Sequence, residues 1–190
     1  MGRTDTKSEL LDCAQDLIQR VGVNAMSYKD LSEAVDIRKA SIHYHFPKKE
    51  DLIRALLLRC GHDYAMHYRE VASSDKTVMQ KLEAIAGIFE SSLRDGKICL
   101  VGMLSVESTT LSDAVQGTLG STVNSCVGII ESIFIQGVSD KTFCGEMNTS
   151  EAAHVFHDYL LGSQIMARCL RDPDHFSRSA RTYLSMLSNL

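Results

Sequence analysis

Apolar side chains recur along this chain at intervals of three and four residues, the spacing that lines one face of an α-helix, and nowhere do they alternate over the length of a strand. Leu10, Leu11, Ala14, Leu17, Ile18 and Val21 trace the first stripe, and Gly22 then offers the left-handed conformation that ends a helix. Ser27 followed by Asp30 matches a capping box, in which a serine oxygen accepts a first-turn N–H and a carboxylate reaches back. It opens a short second helix with Leu31, Ala34 and Val35 inward. Asp36 and Ile37 form a turn, and a third helix runs from about Arg38 to His45, ended by Pro47 because the residue before a proline avoids the helical region. A fourth helix from about Lys48 carries Leu52, Ile53, Leu56, Leu57 and Cys60 on one side.

The same period continues through Val78, Leu82, Ile85, Ile88, Phe89 and Leu93, through an apolar segment from Leu100 to Val106, and through Val123, Val127, Ile130, Ile133 and Phe134. After a loop, a helix starting near Thr149 or Ser150 places Ala152, Val155, Phe156, Tyr159, Leu160, Ser163 and Ala167 on one stripe. A last helix repeats the period from Phe176 through Ala180, Tyr183, Leu184 and Leu187 to Leu190. With only two prolines, the chain is predicted to be all-α, with about nine helices.

Helix, three-residue turn, helix, braced by a helix in front, is the helix-turn-helix arrangement. Ile42 and Phe46 share a face with Ile37 and are expected to pack on Leu31 and the first helix, which turns Lys39, Ala40, Ser41, His43 and Tyr44 outward. Charge sharpens this picture. Residues 1–60 hold ten Lys and Arg against nine Asp and Glu, whereas 61–190 hold ten against fifteen, within a net charge of −4. From Asp36 to Lys49 four cations stand against one carboxylate. A cation, a small residue, a hydroxyl, an imidazole and a phenol on one short helix are groups that meet phosphate oxygens and base edges in a major groove. Charge alone fits a solvated helix face equally well; its position on the exposed side of a second turn-linked helix favours DNA.

At these residues the sequence resembles the TetR family of bacterial transcription regulators. The stretch "SYKDLSEAVDIRKASIHYHFPKKEDL" resembles the family's DNA-binding region in spacing and residue type. The resemblance implies that Arg38, Lys39, Ala40, Ser41, His43 and Tyr44 contact DNA from the recognition helix. It also implies that Ser27, Tyr28, Lys29 and Lys49 hold phosphates. The sequence departs from the family pattern at Arg38 and Lys48, which replace usual helix caps, and at His43, which replaces a frequent tyrosine. It further implies a DNA-binding domain over 1–47 and a ligand-binding and dimerisation domain over 48–190, bridged by the helix from about 48.

For the larger domain, Phe89, Leu93, Cys99, Met103, Val106, Phe134, Phe156, Leu160 and Met166 are candidates to line an apolar effector cavity, with Glu107, Tyr159 and Gln164 as polar handles. Each also reads as ordinary core. Leu161, Ile165 and Cys169 widen the apolar surface of the penultimate helix beyond one core face, so the last two helices are expected to form a homodimer interface. Two copies would read a near-palindromic operator in double-stranded DNA, one turn or a modest multiple apart.

Other chemistries find less support. Six scattered cysteines without a C-x-x-C pair fit reduced thiols in a cytoplasmic protein, Cys99 included, whose sensing of oxidants would require exposure and cationic neighbours. The longest unbroken apolar runs are far short of the roughly 20 residues that cross a bilayer, so no membrane partner is expected. His154, His157 and Asp158 have helical spacing for a metal but no fuller signature, and no metal or cofactor is expected. No nucleophile elbow, phosphate loop or dinucleotide fingerprint appears, which argues against an enzyme. The competing class is a helical interaction protein that has lost DNA binding, and the groups retained on the third helix argue against it.

Overall fold

A computed structural model describes residues 6–143 and 147–187; Cys144 and Leu190 lie outside the described residues. Among these residues the chain forms nine α-helices, one short 3₁₀ turn and no strand. The packing divides into two compact units. The first holds the chain as far as Cys60 together with Leu100–Thr122, and the second holds Gly61–Cys99 and the chain from Val123. The expected division at 47/48 is therefore not the packing division: 48–60 and 100–122 pack with the N-terminal helices.

In the first unit, α1 (Thr6–Val21) stops where Gly22 takes φ +94° and donates its N–H to the Ile18 carbonyl. The box that opens α2 (Tyr28–Ala34) closes as the sequence predicts. Ser27 N–H reaches Asp30 Oδ2 at 2.7 Å, and Asp30 N–H reaches Ser27 Oγ at 3.4 Å. Asp36, at φ 52°, turns the chain, and Ser32 Oγ donates to the Ile37 carbonyl at 2.6 Å. α3 (Lys39–His45) starts one residue later than expected, because Arg38 stands at its cap with no side-chain acceptor to offer. Leu31, Ile42 and Phe46 are buried together with Leu10, Ala14 and Ile18 of α1. α4 (Lys49–Ser73) lacks a capping hydroxyl, but Asp51 supplies a carboxylate to Lys48 N–H at 3.0 Å.

α6 (Leu100–Val106) packs on α1, and the 3₁₀ turn Ser108–Thr110 follows it. Glu107, between them, accepts N–H bonds from Val23 at 2.5 Å and Asn24 at 3.2 Å on the same carboxylate oxygen. Thr110 adds a bond to the Asn24 side chain. From the other side Lys49 Nζ donates to the carbonyls of Val23 at 2.5 Å and Met26 at 2.6 Å. The loop between α1 and α2 is thus held by a carboxylate on its N–H groups and an ammonium on its carbonyls.

The second unit is built from the rest of α4, α5 (Val78–Arg94), the later part of α7 (Asp113–Ser139), α8 (Thr149–Cys169) and α9 (Pro173–Leu187), with α5, α8 and α9 mutually packed. Thr77 and Gln80 form a capping box on α5, Asn148 caps α8, and Pro173 occupies the first position of α9, where its missing N–H is not needed. Rings form the centre: Phe143 stacks on Phe134 at 5.6 Å, Phe134 meets Phe156 edge-on at 6.2 Å, Phe156 stacks on Tyr183 at 5.9 Å, and Tyr183 on Tyr159 at 4.4 Å. Gln164 is fully buried and ties two loose backbone groups, accepting from Cys99 N–H at 3.0 Å and donating to the Phe89 carbonyl at 2.7 Å.

One expectation needs correction. α8 is rotated relative to the predicted stripe: Ala153, Phe156, His157, Leu160, Ser163, Gln164 and Ala167 face inward, while Val155 is 53% exposed. The interior of this helix accepts His157 and Gln164, which hydrophobicity alone assigns to the surface. α7 is 27 residues long and contains an 18-residue window of mean hydropathy 1.3, long and apolar enough to cross a bilayer although its unbroken apolar runs are short. Its Val127, Ile130, Ile133 and Phe134 are nevertheless buried in protein.

Candidate nucleic-acid interface

α3 is seven residues long, and its two faces differ completely. Ile42 is fully buried and Phe46, just beyond the end, is nearly so. Arg38, Lys39, Ala40, Ser41, His43 and Tyr44 are all exposed, Tyr44 to 83%. Lys39 and His43 are one turn apart, as are Ala40 and Tyr44, so cation, imidazole, methyl and phenol share one outward surface. Beside it lies a shallow cleft of about 510 Å³ lined by Thr6, Ile37, Arg38, Ala40, Ser41, Tyr44 and His45. A seven-residue helix that buries one side chain and presents the remainder is a platform for contact, since its apolar side gives it one fixed seat on α1 and α2.

The flanking residues expected to hold phosphates are used differently. Ser27 Oγ donates to Asp30 Oδ2 at 2.7 Å within the capping box. Tyr28 donates its hydroxyl to the Phe46 carbonyl at 2.8 Å, and burial, with Asp51 nearby, pushes its phenol up to about 12. Lys49 spends its ammonium on Val23 and Met26; partial burial pushes its pKa down, against the pull of Glu107 and Asp30. Those three polar groups brace the head from within. Lys29 remains outward, with Glu33 at 3.7 Å, an exposed pairing of little energetic weight. Lys48 is exposed as well, beside the outward face in sequence.

His43 is positioned on two sides. Its Nδ1 lies 3.3 Å from the Pro47 carbonyl, and the Tyr28 ring meets it edge-on at 4.9 Å and 64°.

The residues expected to line an effector cavity are distributed over both units. Phe89, Leu93, Cys99, Phe134, Phe156, Leu160 and Gln164 are buried in the second, and Tyr159 is half-buried there, bonded through its hydroxyl to Ser179 at 2.8 Å. Met103, Val106 and Glu107 belong to the first: Val106 is 67% exposed, and Glu107 is the clamp on the α1–α2 loop instead of a ligand handle. Met166, on α8, is exposed. Clefts of about 640, 590 and 500 Å³ on the second unit are lined by other residues, the largest between α5 and α9 around Glu90, Arg94, Ser177 and Arg181. Cys99 is buried, and the neighbouring Cys126 thiol is pushed up to about 11 by burial and by Cys99, so both lack the exposure a reactive thiolate needs. Among the described residues no three metal-ligating side chains converge, and His157 is buried with Nδ1 unbonded and 3.7 Å from Asp158. The clamp by Glu107 had no local sequence signal, because its partners lie 83 and 84 residues away.

Comparison with known proteins finds two family regions along the chain. The model for the N-terminal region of bacterial regulatory proteins of the tetR family matches residues 10–56, and the model for a tetracyclin repressor-like C-terminal domain matches 78–183. The chain is 26% identical over 168 residues to the HTH-type transcriptional repressor DhaR of Mycobacterium sp. (strain GP1), covering 86% of this chain and 80% of that protein. It is 31% identical over 84 residues to the HTH-type transcriptional repressor KstR2 of Rhodococcus jostii (strain RHA1), a match that spans 44% of this chain and only 41% of that relative's length. A TetR-family regulator from Agrobacterium tumefaciens, known as a crystal structure, superposes with a TM-score of 0.90 at 26% identity, over 96% of this chain and 97% of that one. With the outward α3 face on one side and a C-terminal match covering more than half of its length on the other, this chain belongs to the TetR family of bacterial regulatory proteins, DNA-binding transcription regulators and not enzymes.

Proposed function

We propose that the protein is a homodimeric repressor that occupies a near-palindromic operator through α3 and is released by a small-molecule effector bound in its second unit. The observation that carries the reading is the outward face of α3, where Arg38, Lys39, Ala40, Ser41, His43 and Tyr44 meet solvent together while Ile42 seats the helix. Two relatives named as repressors support the sign of control. Lys29 is the remaining side chain of the α2 start that is free to approach a phosphate.

Dimerisation is assigned to α8 and α9. Val155, Ile165 and Met166 on α8, Leu170 just after it and Met186 on α9 are exposed apolar side chains, and Tyr159 and Tyr183 are half-buried between the two helices. A surface of that composition is stabilised when a second copy covers it. The effector is placed among Phe89, Leu93, Phe134, Phe156 and Leu160, with Gln164 and Tyr159 as polar contacts, so that binding costs a rearrangement of the rings and shifts the balance between operator-bound and free forms. The protein then acts where the bacterial chromosome is, in the cytoplasm.

The test is footprinting on DNA upstream of the protein's own gene, with Lys39→Ala and Tyr44→Ala beside the wild type and light scattering on each. Operator affinity is expected to fall at least about tenfold in each variant, with helicity and dimer mass unchanged, and to weaken steeply with salt as counterions return to the phosphates. Full affinity in both variants, or a particle of one chain's mass at micromolar concentration, overturns the reading.

A further inference from the structure

The exposed face of α3 contains one side chain whose hydrogen-bonding character is decided by the fold before any DNA arrives. His43 Nδ1 lies 3.3 Å from the carbonyl oxygen of Pro47. A carbonyl can only accept, so the proton of that bond sits on Nδ1. In a neutral imidazole the other nitrogen, Nε2, then carries a lone pair and no proton. The ring is kept in this orientation by a neighbour that is itself fixed: Tyr28 meets it edge-on at 4.9 Å, and the Tyr28 hydroxyl is anchored on the Phe46 carbonyl at 2.8 Å. Turning the imidazole over would replace Nδ1 by a C–H at the Pro47 carbonyl and lose the bond.

We propose that His43 is a specificity-determining residue that reads DNA as a hydrogen-bond acceptor, its Nε2 selecting a base whose major-groove edge presents an amino donor, cytosine N4 or adenine N6. The proposal rests on the reading of α3 as the recognition helix and deepens it by one atom. Nε2 lies on the flank of the ring opposite the Pro47 contact, and the residue is exposed on the same surface as Lys39, one turn earlier. A lone pair there is repelled by a phosphate oxygen, which also only accepts, so neutral His43 cannot serve as a backbone contact. Among base edges in the major groove, guanine and thymine offer acceptors at O6 and O4, while cytosine and adenine offer amino hydrogens. The bond Nε2 can make is with the second pair.

The tautomer is tested first in the free protein. Nitrogen-15 spectra of the full chain with labelled histidine, at pH 8 to favour neutral imidazole, are expected to show His43 protonated on Nδ1 and bare on Nε2; the opposite tautomer overturns the proposal. The reading is tested by selecting from randomised duplexes of about 30 base pairs, long enough for two half-sites, with wild type, His43→Gln and His43→Arg. Wild type is expected to enrich cytosine or adenine about five- to tenfold at one position of each half-site. His43→Gln should narrow that position to adenine, and His43→Arg, which only donates, should convert it to guanine, with the other positions unchanged. If all three proteins enrich the same bases throughout, His43 does not read sequence and the proposal fails while the DNA-binding reading stands. If no duplex is enriched by the wild type, both fall. Superimposable thermal melts of the three proteins certify that altered preference is not altered folding.

Discussion

The two packing units solve the same problem with different materials. In the first, the loop between α1 and α2 is held by ionic side chains acting on backbone: Glu107 on two N–H groups and Lys49 on two carbonyls. In the second, position is set by a file of rings from Phe143 to Tyr159, with the buried Gln164 side chain tying the Cys99 N–H to the Phe89 carbonyl. Hydrogen bonds to charged groups are short, strong and geometrically specific, and so fix the backbone groups they hold. Ring contacts yield bulk stability and tolerate sliding. A unit that must present α3 to a duplex gains from the first kind, and one that must admit a ligand gains from the second.

The comparison breaks most visibly at Phe134, which is fully buried between Phe143 and Phe156. Phe134→Ala is expected to cost about 3–5 kcal/mol, read as a lowered urea midpoint; a loss below about 1 kcal/mol would mean the rings are not the keystone of that unit. Next is Glu107→Ala, expected to cost about 1–3 kcal/mol because two N–H groups lose a charged acceptor. Glu107→Gln should recover part of this by keeping an acceptor oxygen. The diagnostic measurement is amide exchange at Val23 and Asn24: rates unchanged in Glu107→Ala would show that the carboxylate does not hold the loop.

The smallest effect is a slope with pH. Burial holds the His157 pKa below the usual imidazole value of 6.5, with Asp158 opposing. The folded state therefore binds that proton less readily than the unfolded one. The stability associated with neutral His157 is complete above pH 6.5 and is lost as pH falls from there through the lower folded value. Replacing His157 by Asn should flatten the melting temperature over that range; an unchanged slope would assign the pH dependence to other groups.

Legibility from sequence followed distance along the chain. Gly22, the Ser27–Asp30 box and Pro47 act on residues within one turn of themselves, and the ends of α1, α2 and α3 lie within a residue of where those signals put them. Ile42 and Phe46 turned inward as their spacing requires. The internal bonds of Lys49 carried no signal in the sequence, because a cation at a helix start looks the same whether or not it reaches back 23 and 26 residues to Met26 and Val23. The phase of α8 was misjudged for a different reason: His157 and Gln164 are polar by composition and interior by packing, so a stripe drawn through apolar residues alone lands about a sixth of a turn off the buried one. An effector cavity could not be read at all, since core rings and pocket rings have the same sequence signature.

Gly22 sits with φ +94°, and a methyl group placed there would come within 2.8 Å of Glu107 Oε1. Position 22 consequently disfavours other amino acids by its torsion, and a side chain there would also have to displace the Glu107 carboxylate that holds Val23. In a library of single substitutions, changes at position 22 should therefore lower stability along with changes at 107, since either one disturbs the same junction.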